Sequence, residues 1–373
     1  MAKKIRVLHT EWSDGWGGQE IRIINEMVAM RELGVKVFLA CRENSKIRQK
    51  ALDRNVKVFT LPFRGNADLI TIFRLRRIIK ENQIDIVNTH SGKDSWTGGF
   101  AAKLAKVKFI RTRHLSNPIN LSRLNFINEI ADYIFTTGES VRVNMISRNR
   151  ILPTRIKSVP TGIDHRVFDP MNFKQSDCKK LFGFETDEII LGTVAVLRRF
   201  KRHDRFLNMA RFVIDSNPDK KIRFVIAGEG PQRDKLRDLI TKLRLKDNVI
   251  LLGHVTNVPE LLTALDIFVL TSDSGEGVPQ SVMQALLMCK PTVSTDAGST
   301  RDLYSKNNFM LVNKDSQDEI NNKCNKFVAS ENLRKIYASV SREFVVENFS
   351  QAKMATNIMK IYKNLLSNEC SLY

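Results

Sequence analysis

Short β-branched runs alternate with amphipathic helical stretches along this chain, and that alternation restricts it to parallel sheets covered by helices. The first part carries IRVLHT (5–10), VKVFLA (35–40), VKVFTL (56–61), IDIVNTH (84–90), VKFIRT (107–112), YIFTT (133–137) and RIKSVP (155–160). Between the first two lies EIRIINEMVAMRELG, whose Ile21, Ile24, Met27, Val28 and Leu33 recur near helical spacing and whose Gly34 suits a C-cap. A second block follows with EIILGTVAV (188–196), KIRFVIAG (221–228), NVILLG (248–253), DIFVLT (266–271) and PTVSTD (291–296). Helical stretches near 203–216, 232–244, 257–265 and 280–288 separate these runs. Runs that are apolar throughout belong to strands buried on both faces, so each block predicts a doubly wound α/β domain.

The segment PTGIDHRVFDP (160–170) breaks the rhythm with two prolines and a glycine and reads as a linker. The expected division is 1–165 and 166–349. Beyond Asp315 the chain turns helical at 316–330, 331–347 and 350–366, the last opened by Ser350. A length of 373 residues suits two cores, and 42% hydrophobic residues suffice to fill them. No apolar run approaches the roughly 18 residues of a membrane span, and MAKKIRVLHT turns polar too soon for a signal peptide, so a cytoplasmic location is expected. The five cysteines are scattered without CxxC or zinc spacing, which argues against disulfides and a structural metal.

The formal charge of +20 is uneven. Residues 1–165 hold 29 Lys and Arg against 15 Asp and Glu, or +14; the remainder holds 31 against 25, or +6. Such a field favours an anionic partner: nucleic acid, lipid headgroups or a phosphorylated substrate. Nucleic acid is not expected, because no helix–turn–helix or RRM-like module accompanies the charge and aromatics make up only 8%.

Several chemistries lack their residues. There is no Walker phosphate loop, G-x-S-x-G elbow, H-E-x-x-H or calcium loop. After the first strand the loop TEWSDGWGGQE places Gly15, Gly17 and Gly18 ahead of a helix, where bare backbone can approach an anion or simply supply positive φ angles. In the second block, VAVLRRFKRHD (194–204) runs a buried strand into Arg198, Arg199, Lys201 and Arg202, at the end of a parallel strand where such sheets bind ligands. FVIAGEGPQRDKL (224–236) is a second strand-to-helix turn. In LTSDSGEGVPQSVMQALLMCKPTV (270–293), Pro279 is placed to open a helix, with Glu276 ahead of it and Gln284 in its second turn. Gly277 and Val278 offer N–H groups at that helix start. Glu276 reads as an isolated carboxylate, a hydroxyl acceptor for a sugar rather than an ion-pair partner, or else a charge that serves the helix dipole.

Ser272–Ala285 resembles the E-x7-E signature of retaining GT-B glycosyltransferases of the family 4 type, which build bacterial lipopolysaccharide and other cell-surface glycans. Other segments resemble the family in the same order: Gly-Gly-Gln-Glu at 17–20, VPTGID at 159–164, VAVLRRFKRHD, AGEGP at 227–231 and LLGHV at 251–255. The resemblance implies two Rossmann-like domains facing a cleft, with the last helix, about 350–367, crossing back to the N-terminal, acceptor-side domain. It implies a metal-independent hexosyl transfer without a cofactor, from a nucleotide-diphosphate sugar, UDP- or GDP-linked, to a hydroxyl of a glycan or lipid-linked acceptor. Lys201 and Arg198 or Arg199 would hold the diphosphate, Glu276 the sugar, and Gly277 and Val278 a phosphate. His254 and Val255 would meet the base, Gly17 and Gly18 the phosphate and sugar, and His114 the reacting centre.

Two departures stand out. Gln284 replaces the second acid, so the ribose would lose a charge-assisted bond. Val196 occupies the usual arginine position of the family's G-R-L. The stretches IFRLRRIIK (72–80) and KLAKVKFIRTR (103–113) interleave cations with apolar residues, which suits peripheral contact with an anionic membrane. Alternatives of other classes are a basic nucleic-acid-binding protein and an epimerase or phosphorylase of the same architecture.

Overall fold

A computed structural model describes residues 4–114, 126–305 and 307–367. Two compact units emerge, one of residues up to Gly162 together with the segment from Gln351 onward, the other Ile163–Ser350.

The first unit runs β1 (Arg6–Glu11), α1 (Gly18–Glu32), β2 (Lys36–Cys41), α2 (Lys46–Leu52), β3 (Lys57–Thr60), α3 (Leu69–Glu81), β4 (Ile86–Thr89), α4 (Gly92–Ala105), β5 (Lys108–Arg113), α5 (Ile127–Ile130), β6 (Tyr133–Thr136), α6 (Glu139–Asn149) and β7 (Ile156–Ser158). Its seven strands pair in the order β3-β2-β1-β4-β5-β6-β7, all parallel. The two-residue period of a strand sends neighbours to opposite faces. Val7, Val37 and Leu39 join a core with Ile23, Met27 and Met30 of α1, while Leu8, Phe38 and Ala40 join another with Ile72, Leu75 and Ile79 of α3.

The second unit holds α7 (Gln175–Leu181), β8 (Ile189–Val194), α8 (His203–Ser216), β9 (Ile222–Ala227), α9 (Arg233–Lys242), β10 (Val249–Gly253), α10 (Val258–Ala264), β11 (Ile267–Leu270), α11 (Gln280–Leu287), β12 (Thr292–Thr295), β13 (Met310–Val312), α12 (Gln317–Ala329) and α13 (Glu331–Phe349). Its sheet is also parallel, ordered β10-β9-β8-β11-β12-β13. Both domains are Rossmann-like. The three-residue strand β13 escapes the sequence reading because it is too short to show a period.

The last helix, α14 (Gln351–Leu366), packs on α1 of the first unit, burying Met354, Ile358, Ile361 and Tyr362 in the Val7 core. A buried side chain of this size contributes about 2 kcal/mol, so the first unit depends on residues from the far end of the chain. Ser350 separates α13 from α14 and bridges Ile163 through its backbone.

Strand order reverses direction between β1 and β4 in the first sheet and between β8 and β11 in the second. Loops at the carboxyl ends of those strands diverge there, and open α/β sheets bind ligands at that opening.

Candidate active site

The turns that leave β8 and β11 are bound to each other. Thr271, just past β11, donates its hydroxyl to the carbonyls of Lys201 (3.1 Å) and Arg202 (2.9 Å). The Asp273 N–H donates to Phe200 O at 3.0 Å, and the Arg202 guanidinium reaches Asp273 at 3.1 Å while forking onto Asp204. Within this frame Lys201 Nζ donates to Glu276 Oε1 at 2.5 Å, and the Ser272 hydroxyl donates to the same oxygen at 2.6 Å. Glu276 is buried and Lys201 nearly so, at 8% and 13% side-chain exposure. The expectation of an isolated carboxylate is corrected here. A buried carboxylate needs a counter-charge, and among the described residues Lys201 supplies it.

Glycine requirements explain how the Glu276 loop is shaped. Gly298, with φ +60°, lies so close that a Cβ would sit 2.0 Å from Glu276 O. Gly228, with φ +151°, would put its Cβ 1.9 Å from Ala195 O, so the glycines of AGEGP serve to pack that loop against the end of β8. Gly298 was not among the sequence candidates; it lies 22 residues beyond Glu276, and only the approach of the β12 loop reveals its part.

Gly277 and Val278 sit just ahead of α11, and among the described residues no acceptor takes their N–H groups. Gln284 is half-buried on α11; His254 is exposed and Val255 half-buried in the loop after β10. Arg198 and Arg199 are exposed and carry no side-chain partner among the described residues. They line a cavity of about 570 Å³ with Arg202, Lys235, Asp204 and Asp273, a wall that does not include Lys201 or Glu276. The four sequence-predicted cations therefore do not form one cluster.

In the first unit, Gly17 caps α1 in an extended conformation, its N–H donating to Glu20 at 2.8 Å, and Gly18 begins the helix. None of Gly15, Gly17 and Gly18 has positive φ, and a Cβ on Gly17 would make only an ordinary 3.6 Å contact. The fold itself does not demand glycine at 17. His114 lies just past β5, half-buried, with Nε2 3.0 Å from His90 Nδ1. Burial holds its pKa well below the ordinary histidine range, with Arg22 and Arg113 adding to the effect.

The basic stretches separate. Exposed Leu69, Ile70 and Phe73 share α3 with exposed Arg74, Arg77 and Lys80, and exposed Leu104 ends the neighbouring α4. Lys108–Arg113 is instead the interior strand β5, with Arg111 buried against Asn128. Its mixture of cations and apolar residues reflects the pleat of a covered sheet, so 103–113 is not a membrane-facing segment beyond its first residues. No described helix is long and apolar enough to cross a membrane, and no described cluster of His, Cys, Asp or Glu has the form of a metal site.

Two family models match in series: Glycosyltransferase Family 4 over residues 16–167 and Glycosyl transferases group 1 over residues 175–344. The chain is a group 1, family 4-like glycosyltransferase. This glycosyltransferase is 25% identical to the Escherichia coli UDP-Gal:alpha-D-GlcNAc-diphosphoundecaprenol alpha-1,3-galactosyltransferase over 98% of each chain. Its fold matches a Rickettsia africae glycosyltransferase, with TM-score 0.87 and 18% identity over 98% of this chain and 100% of the other. It also matches Anabaena Alr3699/HepE in complex with UDP-glucose, with TM-score 0.83 and 17% identity over 96% and 100%. These two likenesses establish the GT-B fold, and the paired models place an enzyme on it.

Proposed function

We propose that this glycosyltransferase moves a hexose, with retained anomeric configuration, from a UDP- or GDP-linked donor to a hydroxyl of a lipid-linked glycan, in the synthesis of lipopolysaccharide or another cell-surface polysaccharide. The observation that carries the reading is the Lys201–Glu276–Ser272 cluster beside the free N–H groups of Gly277 and Val278, at the switch point of the second sheet. That arrangement offers a cation and backbone donors for a diphosphate next to a carboxylate for sugar hydroxyls. The lipid-diphosphate acceptor named for the E. coli relative supports the acceptor class.

In this reading Lys201 and the Gly277 and Val278 amides take the donor phosphates, with Arg198 or Arg199 assisting. Glu276 holds the sugar, Gln284 the ribose, and the backbone at His254 and Val255 the base. Gly17 and Gly18 supply close backbone approach, and His114 hydrogen-bonds the sugar. The anomeric carbon–oxygen bond to the diphosphate breaks as the acceptor oxygen bonds to the same face. The acceptor proton passes to the leaving phosphate oxygen, so no protein nucleophile, metal or cofactor is required. The protein's part is positioning and stabilising the departing charge. The reaction takes place on the cytoplasmic face of the membrane, with α3 as the contact.

The test is transfer from UDP- and GDP-hexoses to a polyprenyl-diphosphate-linked sugar, with the product anomer read by NMR. A retained linkage from one nucleotide class is expected. An inverted product would sink the mechanism, and nucleotide release without a glycosylated acceptor would return the chain to the epimerase or phosphorylase class.

A further inference from the structure

Three imidazoles line up across the carboxyl ends of adjacent strands of the first sheet. His9 is on β1, His90 follows β4 and His114 follows β5. His9 Nδ1 lies 3.0 Å from His90 Nε2, and His90 Nδ1 lies 3.0 Å from His114 Nε2. The His9 and His90 rings stack at 5.3 Å and 13°, and His90 and His114 meet at 5.3 Å and 40°. Side-chain hydrogen bonds hold the line: the Asp94 carboxylate accepts from the His90 backbone N–H at 2.9 Å and from the Thr10 hydroxyl at 2.7 Å, and the Thr137 hydroxyl donates to His114 O at 3.1 Å.

A neutral imidazole has one N–H and one lone pair, and each N···N contact uses one of each. Choosing the tautomer of one ring therefore sets all three. In the first state every ring is protonated at Nδ1, which leaves a bare Nε2 on His9 and an N–H at His114 Nδ1. In the second every ring is protonated at Nε2, which leaves an N–H at the inner end and a bare nitrogen on His114.

The inner end decides between them. His9 is fully buried and its Nε2 has no hydrogen-bond partner among the described residues. A proton there would be an orphaned buried donor, and such N–H groups are rarer than under-satisfied acceptors. The nearby charges oppose one another at His9, where the Glu26 carboxylate favours a proton more than the Arg22 guanidinium disfavours it, so the missing partner at Nε2 carries the argument. The Arg22 guanidinium acts on all three rings, and its Nη2 is itself buried without a partner among the described residues, so an N–H on His9 Nε2 would add one orphaned donor to another. The Glu26 carboxylate is already committed, to Arg22 Nε at 3.1 Å and to Asn88 at 3.1 Å.

We infer that His9, His90 and His114 form one tautomer-coupled chain in which His9 and His90 are positioning residues that make the outer nitrogen of His114, Nδ1, a hydrogen-bond donor. Burial, the largest effect on each, disfavours the charged form of all three rings, so the donor is neutral. A neutral donor suits an oxygen lone pair on the sugar and excludes His114 as the base that takes the acceptor proton. This rests on the reading that His114 meets the sugar; the tautomers themselves do not.

The test uses the full chain labelled with [15N]histidine, which has six histidines to resolve. Two-bond 15N–1H spectra, assigned with single His→Gln variants, distinguish protonated from bare ring nitrogens. At pH 7.5, pyrrole-type Nδ1 and pyridine-type Nε2 are expected at positions 9, 90 and 114. An Nε2–H tautomer or an imidazolium at 114 would overturn the inference. The second arm compares His9→Leu with His9→Asn, whose amide N–H takes the place of the Nδ1 donor. His9→Leu is expected to lower kcat at least tenfold with KM for the nucleotide sugar within threefold, and His9→Asn to restore kcat to within threefold of wild type. Equal kcat in the two variants at equal Tm would overturn the positioning role. A wild-type chain with no transfer in any assay, yet with the expected tautomers, would fault the sugar-contact reading alone.

Discussion

Lys201 Nζ and Glu276 Oε1 stand 2.5 Å apart, so the cation offered to a donor phosphate and the carboxylate offered to its sugar satisfy each other when neither is bound. In the proposed binding mode the donor divides that pair, Lys201 turning to phosphate as Glu276 turns to a hydroxyl. In Glu276→Ala, Lys201 loses its counter-charge, so the bare nucleoside diphosphate should bind as tightly as to wild type or more tightly. The nucleotide sugar should gain nothing over the bare diphosphate. Transfer should fall by about a hundredfold, on the order of 3 kcal/mol of transition-state stabilisation. Calorimetry with both ligands checks this, and a sugar increment that persists in the variant would place the sugar elsewhere.

Gly298 is predicted to matter as much as a residue that touches substrate. Its φ of +60° and the 2.0 Å approach of a Cβ to Glu276 O mean that Gly298→Ala must move the Glu276 loop. Gly34→Ala is the control, because φ is +83° there but nothing lies within 4 Å. Both should lose about 1 kcal/mol or more from strain, seen as lower Tm. Only Gly298→Ala should also weaken nucleotide-sugar binding.

The pairing of Lys201 with Glu276 was not legible in the sequence, although each residue was. A strand-to-turn pattern places a side chain at the end of its own strand. It does not say that β8 and β11 are neighbours, or that the Thr271 hydroxyl ties their turns together. The doubly wound sheets were legible because strands buried on both faces leave continuous apolar runs. The same signal marks VKFIRT (107–112) as strand β5, while the cations interleaved in it, Arg111 and Arg113, make 103–113 resemble a basic surface as well. His9 and His90 left no signal of their own, since each stands within or just after a strand and their alignment follows from the β1-β4-β5 order.

Gln284, half-buried on α11, is proposed to meet the donor ribose as an uncharged acceptor. Gln284→Glu restores a charged acceptor, and hydrogen bonds to ionised groups are roughly twice as strong as neutral ones. The variant should bind the nucleoside diphosphate several-fold more tightly, with little change in Tm. Unchanged or weaker binding by calorimetry would remove Gln284 from the nucleotide site.

His203 opens α8 beside Lys201, and among the described residues neither ring nitrogen has a hydrogen-bond partner. Burial, aided by the Lys201 charge, lowers its pKa to about 4 from the ordinary 6.5. The unfolded chain therefore takes up this proton first as pH falls, and stability is lost from about pH 6.5 down toward pH 4. Between pH 7.5 and 5 the loss from this one group is about 2 kcal/mol. His203→Leu removes it, so the stability difference, wild type minus variant, should shrink by that amount over the same interval in denaturant titrations. A constant difference would show that His203 titrates normally.

Helix α3 supplies the last prediction. Its buried Ile72, Leu75 and Ile79 face the core, which leaves Leu69, Ile70 and Phe73 exposed next to Arg74, Arg77 and Lys80. Asp68 caps the helix by accepting from the Thr71 N–H at 3.1 Å, so the exposed apolar residues are held in its first turns. Apolar side chains that enter the interface while flanking cations meet anionic headgroups add two modest attractions, the ionic one worth about 1 kcal/mol per cation near the surface. Phe73→Ser and the pair Arg74→Glu, Arg77→Glu should each weaken binding to vesicles containing anionic lipid, the second alone abolishing its dependence on salt. Neither touches the proposed donor site, so nucleotide affinity should stay at the wild-type value. Equal vesicle binding by all three proteins would exclude α3 as the membrane contact.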